Sequence, residues 1–596
     1  MRTSFLLPVM LLWGQLGGGI FPAALAQTYQ DHFGQGHQIG LRVSSSDAQS
    51  TDTATHAISG TMMRPGLEGS SRFLSQATLG YNWDAMAHVD SIGIKAWLDE
   101  QFAMSADTSF EGAYWQTFGY PDYLSFEAEP GYVASPEWRY LSSAFYNVLM
   151  KREDQLRHKL AFALSQILVV SSQGQSFLQQ RGYMLAHYYD ILYKNAFGNY
   201  RDILGQVTMS PTMSRYLSSR RNQKADYGLN IRPDENYARE VMQLFTIGLV
   251  ELNNDGTPKK DEKGKLIPTY DNEDIQEMAK VFTGMSEGKD WHGMDIAFTE
   301  WQDLHMLLPM KVFGAYHDVS EKRMIDGTLL PPGRGGQEDI DDALDLLFDH
   351  PNTGPFISIR LIQNFVKSNP SPAYVNRVAT VFANNGKGVR GDLMAVIQAI
   401  LTDPEARDCA WMTHPNAGKL IQPLERFTRL MAAFEVFDDT AAFQLRDANE
   451  RNLGQRFLGS PTVFNFFSPL YGEEKFVTPL GLVSPEFQIL NSVTAIEHLN
   501  ANEHRIEQRA FRNWSGGDHP ELDLSFEESL MTSLGVSAVL DRFDTLLCRG
   551  QLSPQTRSMI EYAITEAQTH NNYSDLRAVQ ETLYYLLASP DYLILK

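Results

Sequence analysis

The sequence predicts a mainly α protein: a large helical domain with one or two small β-hairpin insertions. Three observations predict it. Apolar residues recur at three- and four-residue spacing through most of the chain after residue 65. Capping residues and prolines bound these stretches, as in "SPEWRYLSSAFYNVLM", where Ser135 stands as a cap and Pro136 takes the first helical position. Two segments, near 251–270 and 305–330, exchange helical spacing for turn residues beside short β-prone runs.

The chain opens "MRTSFLLPVMLLWGQLGGGIFPAALAQ". One arginine precedes an apolar run that ends in Ala24-Leu25-Ala26, the pattern of a signal-peptidase site. A signal peptide over 1–26 is therefore expected, with export to the periplasm or the medium. Gly14, Gln15 and Gly17 to Gly19 interrupt the run, which argues against a retained anchor. Residues 27–64 are rich in Ser, Thr, Gly, Gln and Asp and read as a flexible leader. A single large α-rich domain is expected from 65 to 596.

Within it, Phe73, Leu74 and Ala77 share one helical face, and Ile92, Ala96 and Trp97–Leu98 share the next. Residues 107–135, aromatic and broken by Gly and Pro, read as irregular. Strong helical patterns follow in "REDQLRHKLAFALSQILVVSS" and "YMLAHYYDILYKNAF". Further helices are expected at 272–283, 337–350, 355–367, 372–385, 390–401, 418–436, 484–500, 526–547, 554–568 and 574–588.

Composition narrows the functional classes. A net charge of −22, spread along the chain, argues against nucleic acid, which demands a concentrated basic surface. After the leader no apolar run approaches the roughly 20 residues that span a bilayer, so no transmembrane anchor is expected after signal cleavage. Cys409 and Cys548 are the only cysteines, too few for a disulfide scaffold or an all-cysteine metal cluster. Spacing leaves open whether they pair.

The insertions invite metal readings. In "ELNNDGTPKKDEKGKLIPTY", Glu251, Asn253, Asp255, Gly256 and Glu262 match positions of a calcium-binding EF-hand loop. Gly264 and Pro268 block the exiting helix such a loop requires, and Pro258 and Lys259 fit it poorly. A projecting β-hairpin suits the stretch better. At 305–336, "MKVFGAY" and "KRMIDGTLL" look like two strands of one small sheet, linked by "HDVSE". His317–Asp318 at a strand end is a candidate general base or ligand, because a carboxylate can orient an imidazole. His305, Met306 and Met310 are residue types that bind copper, although methionine mostly fills cores.

Five segments in order, "LRHKLAFALSQILVVS", "RPDENYAREVMQLFTIGL", "YDNEDIQEMAKVFTG", "YHDVSEKRMIDG" and "SPTVFNFFSP…SPEFQILN", resemble the bacterial family called domain of unknown function 1800. The likeness runs from about residue 68 to 592. It implies an exported, mainly helical protein without an established activity. It also implies, as a partner, an exported protein resembling sulfatases and encoded nearby. Many members carry a Trp-His-Asn-His-like segment where this chain has Ala163-Leu164-Ser165-Gln166. Metal chemistry based on those histidines is not available here through the same residues.

The segment "RPDENYAREVMQLFTIGL" holds the remaining candidates. Pro233 is expected at the first helical position, with Asp234 and Glu235 in the first turn. Tyr237, Val241, Leu244, Phe245 and Gly248 form an apolar stripe, and Asn236, Glu240 and Gln243 a polar one. Glu235 stands four residues before Arg239, the spacing of an ion pair. Asn236, Arg239 and Glu235 are candidate binding residues. If they lie in a partly buried network, Arg239→Ala should cost at least about 2 kcal/mol.

GxSxG, HExxH, P-loop and dinucleotide fingerprints are absent, and "GRGG" at 333–336 lacks the flanking elements of a phosphate cradle. The leading expectation is an exported accessory or partner protein in envelope or extracellular processes. A second reading is a metal-assisted hydrolase using Glu240, His317 and Asp318 with a divalent metal. A third, a carbohydrate-binding helical protein, rests on aromatic content alone.

Overall fold

The computed structural model describes residues 66–127, 137–301, 304–408, 414, 417–434, 454–507, 522–571 and 573–596. The expected signal peptide, its cleavage site, the leader 27–64, Ser135, Pro136 and Cys409 lie outside them. Helices dominate these residues, and the sheets among them are two-stranded and antiparallel. That is the mainly α architecture the periodicity predicts.

The two ends of the described chain meet. Helix Leu67–Ala77 turns Phe73, Leu74 and Ala77 fully inward, as their spacing requires. Arg72 on that helix donates from Nε to the Lys596 carbonyl at 2.9 Å, and Tyr81 donates to the Leu546 carbonyl at 2.9 Å. Lys419–Leu420 pairs with Ile594–Leu595 beside them. One hydrophobic cluster consequently runs from Phe73 to Leu593. The sheet of residues 419–420 and 594–595 was not expected, because two-residue strands leave no alternation to detect.

Residues 107–135 are less irregular than their composition suggests, since they include helices Phe110–Phe118 and Tyr123–Glu127. The cause is tertiary. Asp190, buried on helix Gly182–Lys194, accepts the Phe110 N–H at 2.6 Å, the Glu111 N–H at 3.2 Å and the Ser109 hydroxyl at 3.1 Å. A carboxylate there satisfies free amides and complements the helix dipole. Trp115 on the capped helix stacks against Tyr183 at 5.1 Å, placing its indole in the core.

Both insertions contain β structure, arranged differently from the sequence reading. Residues 250–268 form isolated bridges, Val250 with Pro268, Leu252 with Pro258 and Lys260 with Leu266, rather than a regular hairpin. Asp255 Oδ1 accepts the Thr257 N–H at 2.9 Å within a turn, and no helix leaves the loop as an EF-hand would demand. The expected strands at 311 and 322 do not pair with each other. Lys311–Val312 pairs with Met285–Ser286, whereas Lys322–Arg323 forms its own hairpin with Leu329–Leu330. The helix after Asn272 delivers Met285 to the first strand, a partner that local alternation cannot reveal.

Gly248 ends the apolar stripe of the charged helix with φ +70°, and a Cβ there would stand 2.8 Å from the Phe356 ring. Both facts exclude a side chain. Gly248→Ala should lower stability by about 2 kcal/mol, combining left-handed strain with overpacking. Chemical denaturation checks this; an unchanged midpoint would show that the ring yields freely.

Candidate functional site

The charged helix begins later than the sequence suggests, spanning Asn236–Gln243 with Glu235 as its N-cap. Pro233 and Asp234 precede it. Asp234 Oδ1 accepts the Asn236 N–H at 2.8 Å. The entry is held instead by Asn222, which sequence reasoning missed. Its Oδ1 accepts the Asp234 N–H at 2.8 Å, and its Nδ2 donates to the carbonyls of Asp234 and Phe282, each at 3.3 Å. Its own carbonyl accepts the Gly284 N–H at 2.7 Å. One asparagine therefore ties the start of the Glu240 helix to the Thr283 corner on which His317 rests. The only local signal is the tandem-arginine stretch "SRRNQK" around it.

His317 is fully buried. Its Nδ1 lies 3.0 Å from the Thr283 carbonyl, and its Nε2 lies 3.1 Å from Asp339 Oδ2. Both ring nitrogens thus face oxygen acceptors. Asp339, not Asp318, is the carboxylate that orients the ring. It also accepts Lys322 Nζ at 2.7 Å and lies 3.1 Å from Arg334 Nε through its other oxygen. Gly336 allows this approach, since a Cβ there would stand 2.8 Å from His317 Nδ1. Asp318 turns away to accept the Ser320 hydroxyl at 2.6 Å and backbone N–H at 2.9 Å. That contact with Ser320 holds its carboxyl below the usual range, against the opposing effect of partial burial.

Glu240 is also buried, at 3% exposure. Its Oε2 has no hydrogen-bond partner among the described residues, nor has the buried Tyr270 hydroxyl, whose ionisation Glu240 disfavours. Burial pushes the Glu240 carboxyl up to about 7, against the pull of Arg239. Among the described residues no hydrogen bond or ion pair joins Glu240 to His317 or Asp318. Glu235 and Arg239 form a half-exposed pair at 3.2 Å, and Asn236 is exposed. Among the described residues the ion pair of Arg239 is this half-exposed one with Glu235; an exposed pair of this kind contributes only about 0.3–0.5 kcal/mol.

Of the candidate copper residues His305, Met306 and Met310, the first two have contacts of other kinds. His305 stacks on Trp291 at 4.2 Å, and Met306 accepts the Tyr183 hydroxyl through sulfur at 3.7 Å. Among the described residues no group of three or more His, Cys, Asp or Glu could hold a metal ion. Cys548 is buried and has no disulfide partner among the described residues; its pairing with Cys409 falls outside them. At the position of the last histidine in the Trp-His-Asn-His-like segment, Gln166 interlocks with Gln422 through bonds of 2.6 and 3.2 Å. Gln455 adds a third amide at 2.7 Å. Amides hold this spot by hydrogen bonding and carry no titratable proton.

An open cleft of about 530 Å³ lies elsewhere, over the first helices. Asp84, His88, Glu100, Glu153 and Arg152 line its polar side, and Trp97 and Leu149 are on its apolar side. His88 and Glu100 pair across it at 2.8 Å, both half-exposed. Nothing in the local pattern marks this cleft, because its walls come from helices far apart in sequence.

Two outcomes are expected. The raised Glu240 pKa means the folded state binds a proton that the unfolded chain releases from pH about 4.5 upward. Its destabilising effect therefore grows between pH about 4.5 and 7 and is full above that. Glu240→Gln should stabilise the protein by roughly 3 kcal/mol at pH 8 and hardly at all at pH 4; melting curves across pH measure this. Asp339→Ala, which strands the buried Lys322 ammonium and removes the acceptor facing His317, should cost about 3–5 kcal/mol. A loss near zero would mean that water solvates His317 and Lys322 in its place.

The comparisons with known proteins agree with the five motif segments. No curated protein and no solved structure matches the chain. A family model described as "protein of unknown function (DUF1800)" matches residues 72–594, nearly the whole of the described chain, and the protein belongs to that family.

Proposed function

We propose that the protein is an exported accessory factor that binds a partner outside the cytoplasm, rather than a hydrolase built on Glu240, His317 and Asp318. The observation that carries this reading is the burial of His317 with both ring nitrogens engaged. A general base must come within hydrogen-bond reach of the proton it takes, and this imidazole meets only its own protein. The open cleft supports binding instead. Three carboxylates, Asp84, Glu100 and Glu153, line it together with the apolar Trp97 and Leu149, while Arg152, also in the lining, is paired with Asp107 and Asp154. That chemistry suits a protein segment carrying an apolar side chain beside a basic one. Export rests on the leader and its Ala24-Leu25-Ala26 site. Among the described residues no helix is long and apolar enough to cross a membrane. The partner implied by the family resemblance is the exported sulfatase-like protein.

Mature protein should begin at Gln27, as read by N-terminal sequencing of the exported form. Binding of the purified sulfatase-like protein should be measurable by calorimetry and should weaken at least tenfold when Ala85, which also lines the cleft, is enlarged in Ala85→Trp. Hydrolysis of p-nitrophenyl phosphate or sulfate that requires added metal and disappears in Glu240→Gln would reverse the assignment in favour of an enzyme.

A further inference from the structure

Four arginines gather beside the Asn222 corner, in a chain whose net charge is −22. Arg215 Nη2 lies 2.6 Å from Glu287 Oε1, and Arg220 Nε lies 2.7 Å from both Glu287 oxygens. Ser286 donates to Oε2 at 3.2 Å, so this buried carboxylate already has several donors. Arg181 and Arg215 lie 3.9 and 3.8 Å from the centre of the Phe177 ring. Arg221 lies 3.8 Å and Arg220 5.4 Å from the centre of the Trp301 ring.

The loop that presents them is strained. Ser218 and Arg221 have φ of +62° and +58°, left-handed values that non-glycine residues hold only when the surroundings enforce them. The enforcement is visible: the Arg221 N–H donates to the Met285 carbonyl at 2.8 Å, and the Asn222 side chain is fixed on both sides.

The hydrogen bonds then fail to close. Among the described residues, Arg221 Nε, Nη1 and Nη2, Arg220 Nη2 and Arg215 Nε have no partner, and none of these atoms touches water. The nearby Glu300 accepts the Trp301 N–H at 2.8 Å. A guanidinium does not neutralise itself by losing a proton. Arg221 is partly buried, with no hydrogen-bond acceptor for its guanidinium among the described residues, and its planar fork matches the oxygens of phosphate and sulfate.

We propose that Arg215, Arg220 and Arg221 form a binding site for a tetrahedral oxyanion, a phosphate or sulfate group that is free or carried on an ester, with Trp301 as its cover. The Trp301 ring is 74% exposed, although its inner side lies on Arg221. Rotation of this ring uncovers the guanidinium groups of Arg220 and Arg221, while Arg215 lies against Phe177. The outer face of the Trp301 ring then meets the organic part of an ester. The site is separate from the cleft assigned above to a protein partner and does not depend on that assignment.

The test is titration of the full mature protein with inorganic phosphate, sulfate and glucose 6-phosphate, in chloride buffer of matched ionic strength, followed by calorimetry and melting temperature. Saturable binding with a rise in melting temperature is expected. Arg221→Asn, which keeps a residue tolerant of left-handed backbone, should weaken binding at least tenfold. Trp301→Ala, altering an exposed side chain, should retain inorganic phosphate while weakening glucose 6-phosphate. Tighter binding of glucose 6-phosphate than phosphate assigns the site to esters; the reverse order assigns it to the free ion. Failure of the wild-type protein to bind any of the three above the chloride control overturns the proposal, as does undiminished binding by folded Arg221→Asn.

Discussion

Buried charges in this protein are carried largely in pairs, and the packing of its helices depends on those pairs closing. Lys159 meets Glu425 at 2.6 Å, Lys322 meets Asp339 at 2.7 Å, Lys419 meets Glu486 at 3.0 Å and Lys367 meets Glu405 at 3.2 Å. All eight side chains are almost completely buried, and three of the four pairs join segments far apart in sequence. Removing one partner of such a pair costs about 3–5 kcal/mol, because the other charge is left without its counter-ion. A hydrophobic surface tolerates sliding, whereas a lysine that must find one carboxylate fixes helix against helix. The pairs therefore act on which arrangement forms more than on how stable it is.

The same constraint explains why the polar residues of the motif segments resemble a reaction centre. His317 and Lys322 bring a basic pair to the core, and Asp339 receives both. In sequence, a histidine beside an aspartate has the composition of a catalytic dyad. In space the adjacent aspartate turns outward to Ser320, and a carboxylate from the next helix takes the imidazole. Glu240 stands outside this economy, with one carboxylate oxygen unpaired and burial opposing its ionisation.

The arginine corner is another place where buried polar atoms lack partners among the described residues, here with the opposite sign. Glu240 can relieve burial by holding a proton, but Arg221 cannot shed one. The partly buried Arg221, whose guanidinium donors lack hydrogen-bond partners among the described residues, is the basis of the proposed oxyanion site. The strained loop and the single asparagine that pins it belong to the same local device. Asn222 sets the start of the Glu240 helix on one side and the arginine loop on the other.

The sequence by itself determined the fold class and most helices after residue 137, because an amphipathic helix writes its buried face into its own spacing. Helices Asn272–Val281, Pro372–Ala383 and Asp575–Leu587 fall within a few residues of where periodicity places them. It also displayed His317, Glu240 and the Glu235–Arg239 spacing, though not what each would touch. Tertiary structure alone decided that Asp190 caps a distant helix, that Lys311 pairs with Ser286, that Asp339 rather than Asp318 holds His317, and that the Arg221 guanidinium has no hydrogen-bond acceptor among the described residues. The physical reason is common to all four. Apolar burial is a property of one element's pattern, while a hydrogen bond or ion pair is a property of two groups that only the folded chain brings within 3 Å or so.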